Sequence, residues 1–245
     1  FVYQLLSSRW LAYASAILLA LSPWHIVLSR STSEGAIALF FVLLGMGLIS
    51  GRRILGIAFL ILSMFFYHSV RLFVPLLLLG TVFESRRNVL AFFIVSSAAA
   101  AIVLFGSGFG RAGSISILRA PGERLELRQQ ILEDRGVNTS VTRVFHNKVT
   151  YFLDTVLENY MAHFTGSYLF LKGGMPARYA VPWTGLLYRV DVVLLTAGLV
   201  ALLLAWMKTN RAIYGMLILW LLLAPLPSAL TFEDIPNIQR SSMMI

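Results

Sequence analysis

The chain contains no cysteine. That excludes disulfide cross-links, a thiolate nucleophile and cysteine-bound metals. Acidic residues are also scarce: 11 Asp and Glu stand against 20 Lys and Arg, and only 13% of residues are charged. No Walker loop, dinucleotide fingerprint, nucleophile elbow or HExxH sequence occurs, so chemistry on soluble nucleotides has no support. There is no internal repeat and no low-complexity segment.

What is abundant is apolar. Hydrophobic residues make up 58% of the chain, with a mean hydropathy of +0.79. They come in blocks separated by short basic or polar breaks, the pattern of an all-α polytopic membrane protein. Seven segments are predicted, over residues 10–21, 36–49, 54–66, 72–82, 89–105, 186–206 and 212–230. Several are shorter than the roughly 20 residues of a straight crossing, so polar lips are expected to extend the helices. The formal charge of +9 does not imply nucleic acid, because the basic residues sit largely at segment ends, where lipid headgroups and topology account for them.

The breaks alternate in character. Arg9, Arg52 with Arg53, Arg86 with Arg87, and Lys208 with Arg211 fall at every second break. The positive-inside rule makes these turns cytoplasmic. The stretch from His25 to Glu34, the turn from Tyr67 to Arg71, the long loop 106–185 and the polar stretch 231–240 then share the extracytoplasmic face. All four histidines fall there too. Three regions follow: helices with an outer-lip site over 1–105, a partly helical outer loop over 106–185, and helices with the start of a further loop over 186–245. Within the long loop a helix is predicted over 121–134 and a second over 142–164. In the second, Phe145, Val149, Phe152, Val156, Tyr160 and Phe164 form one apolar stripe. Asn138-Thr139-Ser140 fits a glycosylation sequon of little weight.

Charges at membrane depth are costly and usually face a cavity or a partner. Arg30 and Glu34 read either as an i,i+4 ion pair worth a few tenths of a kcal/mol, or as an anion-binding guanidinium beside a carboxylate that holds a divalent metal or takes a proton. His68 and Arg71, at a short turn, read either as a group snorkelling to headgroups or as ligands for a lipid-linked phosphate. Glu233 and Asp234 read as a plain polar loop, or as groups serving an acceptor or the metal. Lys172 and Arg178 read more simply as solvated loop charges than as anion ligands. His146 and His163 are seventeen residues apart on one predicted helix, which is no metal-ligand spacing. Both are taken as structural.

The order of several short motifs resembles the GT-C membrane glycosyltransferases, specifically glycosyltransferase family 39, the protein O-mannosyltransferases and aminoarabinose transferases. They are Ser22-Pro23-Trp24-His25 with Ser29-Arg30, Glu34 and Ala38-Leu39-Phe40-Phe41; Tyr67-His68-Ser69-Val70-Arg71-Leu72-Phe73-Val74-Pro75; Phe145-His146-Asn147-Lys148; Phe170-Leu171-Lys172-Gly173-Gly174; and Ala229-Leu230-Thr231-Phe232-Glu233-Asp234-Ile235-Pro236-Asn237. The resemblance spans nearly the whole chain. It implies an enzyme of the plasma (inner) membrane moving a sugar from a polyprenyl-phosphate carrier to a protein, lipid or glycan acceptor on the extracytoplasmic face. It implies that Glu34, after Arg30, helps bind a divalent metal or the donor phosphate, with Arg30, Arg71 and His68 as phosphate ligands. The family's principal acid lies in the first outer loop. The chain starts at Phe1 without methionine and turns apolar again over 241–245, so it reads as a fragment whose main catalytic acid lies upstream and which alone is expected to be inactive.

Two other classes compete. A transporter or flippase places charges near the midplane on broken helices and shows repeated halves; here the charges gather at one lip and no repeat is visible. A noncatalytic binder of lipid-linked sugars would keep Arg71 but tolerate loss of Glu34.

Overall fold

The computed structural model describes residues 3, 8–31, 33–49, 51–82, 88–105, 116–117, 129, 147–209 and 212–244. Among these the chain is all-helical, without a strand. The helices are α1 (Arg9–Leu21), α2 (Pro23–Arg30), α3 (Glu34–Leu48), α4 (Arg53–Phe66), α5 (Val70–Val82), α6 (Asn88–Phe105), α7 (Lys148–Ala162), α8 (Asp191–Thr209), α9 (Ala212–Leu223) and α10 (Leu226–Ala229). The loop helix predicted over 121–134, the sequon and His146 lie outside the described residues. The helix predicted over 142–164 is α7, started by an Asn147 capping box: Asn147 Oδ1 accepts from the Val149 and Thr150 N–H groups, and Thr150 Oγ1 accepts from the Asn147 N–H.

The apolar segments and the helices coincide closely, with three exceptions. The polar stretch after Pro23 is itself a helix, α2, because a proline at the first helical position presets its φ and gives up no needed hydrogen bond. The segment predicted over 212–230 breaks at Ala224 and Pro225 into α9 and α10. At 186–190 the chain is not helical. α8 starts only at Asp191, whose carboxylate accepts from the Tyr188 N–H at 2.9 Å.

The expected seven crossings are not all matched in length. α8, 19 residues and about 28 Å long, is the one described helix long and apolar enough to cross a membrane. α1 and α2 pass only as a pair bent by 62°. Glu34–Leu48, Arg53–Phe66, Val70–Gly80, Val89–Val103 and Tyr214–Ala229 are apolar but shorter. At 1.5 Å per residue they fall short of a hydrocarbon layer of about 30 Å.

The core lies among α2 to α6, α9 and the tail that follows α10. Leu28, Val42, Leu60, Met64, Phe73, Leu77 and Met243 are fully buried there. α3 and α4 form its tightest hairpin, crossing at two glycines. A Cβ on Gly56 would lie 2.8 Å from Ile49 Cα and 2.9 Å from the Gly45 carbonyl. The tail is tied in where Trp220 Nε1 donates to the Met243 carbonyl at 2.6 Å and the indole packs edge-on to Phe73.

The outer surface has the opposite chemistry to that of a water-soluble bundle. Trp10, Ile54, Phe65, Phe93, Val193 and Met207 are exposed. Ser22, Ser33, Ser63, Ser69, Ser228, Ser241 and Ser242 are buried.

Candidate functional site

The Ser33 hydroxyl caps α3 by accepting from the Gly35 N–H, and also accepts from Gln239 Nε2 at 3.1 Å. This fixes the first turn of α3, and Glu34 with it, against a tail more than two hundred positions away in sequence. The glycine-rich return meets the same tail. The Met175 N–H donates to the Pro236 carbonyl at 2.8 Å, and the Ile238 N–H donates to the Met175 carbonyl at 2.9 Å. The chains come this close because residue 174 is glycine: a Cβ there would overlap the Pro236 carbonyl and the Tyr168 ring.

Between these elements lies a polar cavity of about 240 Å³. Glu34 lines it from α3. Tyr67 and His68 line it from the turn between α4 and α5. Pro176 and Arg178 come from the return, and Glu233, Asp234, Asn237, Gln239 and Arg240 from the tail. Arg240 is the best-anchored cation. Its side chain is 8% exposed, and Nη1 donates to Thr231 Oγ1 at 2.8 Å and to the Glu233 carbonyl at 2.6 Å. Its own N–H donates to Asn237 Oδ1. Arg178 is exposed, with its guanidinium 5.0 Å from the Tyr179 ring centre. Asp234 has a φ of 54°, a left-handed conformation that costs a non-glycine residue energy and is enriched at functional sites.

Tyr67 is 5% exposed. Burial pushes its hydroxyl pKa well above the usual tyrosine value, outweighing the Ser69 hydroxyl and the Arg240 charge, which act to lower it; Glu34 acts with the burial. The hydroxyl therefore stays neutral in the cavity wall. His68 tilts against the Tyr67 ring at 4.5 Å between centres.

Five of the residues weighed in the sequence therefore share one cavity: Glu34, His68, Arg178, Glu233 and Asp234. Three do not line it. Arg30 is exposed at the last turn of α2, and Ser31 to Ser33 separate it from α3. The two residues sit on different helices, so i,i+4 geometry does not apply, and no ion pair joins Arg30 to Glu34. Arg71 turns back along the bundle, and its Nε donates to the Met64 carbonyl at 3.0 Å. Met64 is in the last turn of α4, so Arg71 satisfies one of the carbonyls that a helix end leaves open. Lys172 is exposed at the end of the π-helical turn Ser167–Leu171. Among the described residues no three His, Asp or Glu side chains gather as metal ligands. No chemical step is assigned to a divalent cation.

Tyr67, Asn237, Gln239 and Arg240 join the cavity without having stood out as candidates in the sequence. Arg240 ends the same polar stretch as Glu233 and Asp234, and a lone arginine shortly before Met243-Met244-Ile245 is the signal that marks it. No family model matches this chain, and no curated protein and no solved structure matches it either.

Proposed function

We propose that this chain belongs to a membrane glycosyltransferase that moves a sugar, of the hexosyl or mannosyl type, from a polyprenyl-phosphate donor to an acceptor hydroxyl on the extracytoplasmic face. The observation that carries the proposal is the lip cavity. It brings carboxylates (Glu34, Glu233, Asp234), an anchored guanidinium (Arg240) and a histidine (His68) to one end of a set of apolar helices. Such a transfer needs a carboxylate to take the proton of the acceptor hydroxyl as its oxygen attacks the anomeric carbon. It also needs fixed cations where the bond to the donor phosphate breaks and charge develops on the leaving polyprenyl phosphate. Glu34 is the candidate for the first role within this chain. Arg240 is the candidate for the second, with the Arg178 guanidinium at the same cavity and His68 as a neighbouring hydrogen-bonding group. The acceptor enters past Glu233 and Asp234, which are exposed at the rim.

We read the bundle as embedded in the plasma (inner) membrane, with the seven apolar segments as crossings and the cavity outside. The many exposed large apolar side chains support this, since apolar surface in excess on a helical bundle marks a lipid or protein cover. The 62° bend between α1 and α2 favours a second reading, a transporter or flippase for lipid-linked sugars, because broken helices recur in that class.

The test is sugar transfer by the full-length protein in proteoliposomes, with a polyprenyl-phosphate sugar as donor. Glu34→Gln is expected to lower the rate at least a hundredfold while donor binding persists. Full transfer by Glu34→Gln removes Glu34 from the site. Movement of the donor across the bilayer without covalent transfer replaces the enzyme reading with the transporter reading.

A further inference from the structure

α7 is packed on one side only. Asn159 Nδ2 donates to the Ala229 and Thr231 carbonyls, Tyr160 Oη donates to the Leu222 carbonyl at 2.8 Å, and His163 is fully buried. These residues, with Phe152 and Val156, make one sector of the helix. A second sector holds Leu153, Leu157 and Met161, which are 56 to 58% exposed. They are spaced four apart, so each steps only about 40° round the axis from the last and together they form one continuous apolar stripe. Beyond them lies a third sector with the exposed carboxylates Asp154 and Glu158. Phe152, Val156 and Tyr160 of the stripe read from the sequence face the packing, whereas Leu153, Leu157 and Met161, outside that stripe, are bare, between protein on one side and charge on the other.

We infer that the bare stripe of α7 lies in the headgroup–acyl boundary of the outer leaflet, with Asp154 and Glu158 turned to water. The depth of the helix argues for lipid rather than a second protein. Tyr160 caps a carbonyl in the last turn of α9, an apolar helix that ends there, and Leu222 itself is 47% exposed on the outside of the bundle. α7 is therefore held level with the end of α9, beside the exposed Leu222. An amphipathic helix with its polar side charged and its apolar side bare is the form that lies in the plane of an interface. Here the charged side is acidic, so insertion rests on apolar burial and not on attraction to anionic headgroups. The inference rests on the bundle being in a bilayer and not on the transfer reaction.

Because the chain contains no cysteine, each of Leu153→Cys, Leu157→Cys, Glu158→Cys and Val200→Cys carries a single thiol for a nitroxide label. Collision of the label with oxygen, which concentrates in lipid, is compared with collision with a water-soluble nickel chelate in phosphatidylcholine nanodiscs. The labels at 153 and 157 are expected to favour oxygen several-fold, as the α8 control at 200 does, and the label at 158 to favour nickel. Nickel-favoured labels at 153 and 157 beside an oxygen-favoured label at 200 overturn the inference and leave the membrane reading standing. A nickel-favoured label at 200 as well overturns both. Exclusion of both reagents at 153 and 157 overturns the inference in favour of a protein partner.

Discussion

Tyr168 Oη and Ser241 Oγ share a 2.6 Å hydrogen bond across 73 positions of sequence. Ser241 Oγ also donates to the Asn237 carbonyl at 2.7 Å, so Tyr168 donates to Ser241 and the chain of bonds runs from the return into the tail. Both residues are buried, and burial raises the Tyr168 pKa, against the opposing effect of Ser241, so that the hydroxyl stays protonated. The bond latches the segment carrying Gly174 to the segment carrying Arg240, two walls of the same cavity.

Tyr168→Phe is therefore expected to cost about 1 kcal/mol of stability, since Ser241 keeps its bond to Asn237 and only the donor is lost. Thermal unfolding in detergent reads this directly. An unchanged midpoint together with unchanged cavity-dependent activity would show that the latch contributes nothing.

His163 gives the fold an acid limit. The ring is fully buried, and Nδ1 donates to the Asn159 carbonyl at 2.8 Å. Burial lowers its pKa from 6.5 to about 4, outweighing the backbone hydrogen bonds of Asn159 and Tyr160, which act to raise it. The unfolded chain takes up this proton near pH 6.5 and the folded chain only near pH 4. Stability therefore falls as pH drops through that window, by on the order of 3 kcal/mol from this group. Denaturant unfolding of the wild type and His163→Gln at pH 7 and pH 4 separates this contribution. The stability gap between the two proteins is expected to narrow by about that amount at pH 4, and a constant gap rules the contribution out.

Helix positions were largely legible because the apolar runs are long, and three helices have a local cause at their start. Ser8 accepts from the Leu11 N–H at α1, Ser33 from the Gly35 N–H at α3, and Asn147 closes a capping box at α7. α2 was not legible. Pro23 reads as a stop after an apolar run, and Ser29 and Arg30 read as lip, although proline at a first helical position is a start. The cavity was half legible for a different reason. Glu34, His68, Glu233 and Asp234 each stand out as charge or imidazole beside an apolar run. Whether a given arginine faces the cavity depends on which open carbonyl lies nearer, and local pattern does not carry that information. Arg71 finds Met64, while Arg240 finds Thr231 and Glu233.

The α3–α4 crossing makes a graded prediction. A methyl on Gly56 meets backbone, Ile49 Cα and the Gly45 carbonyl, and backbone cannot move aside without separating the helices. A methyl on Gly45 meets the Leu60 side chain at 2.8 Å, which can shift in part, and one backbone atom, the Gly56 carbonyl oxygen, at 3.0 Å. Gly56→Ala is expected to destabilise by about 1–3 kcal/mol, as overpacking does, and Gly45→Ala by less. Unfolding midpoints of the two variants in the same detergent decide it; an equal or reversed order would mean the helices slide apart freely.

The two arginines make the sharpest functional contrast. Arg71 donates to a carbonyl at the end of α4, away from the cavity, so Arg71→Gln is expected to lose about 1 kcal/mol of stability and to leave the donor KM unchanged. Arg240 faces the cavity while Thr231 and Glu233 fix its orientation, and lysine cannot reproduce that planar fork. Arg240→Lys keeps the charge but loosens its aim, so transfer by the full-length protein is expected to fall about tenfold, equivalent to about 1.4 kcal/mol of transition-state stabilisation. If Arg71→Gln raises the donor KM while Arg240→Lys transfers normally, the leaving phosphate sits at the start of α5 and not in the cavity between α3 and the tail.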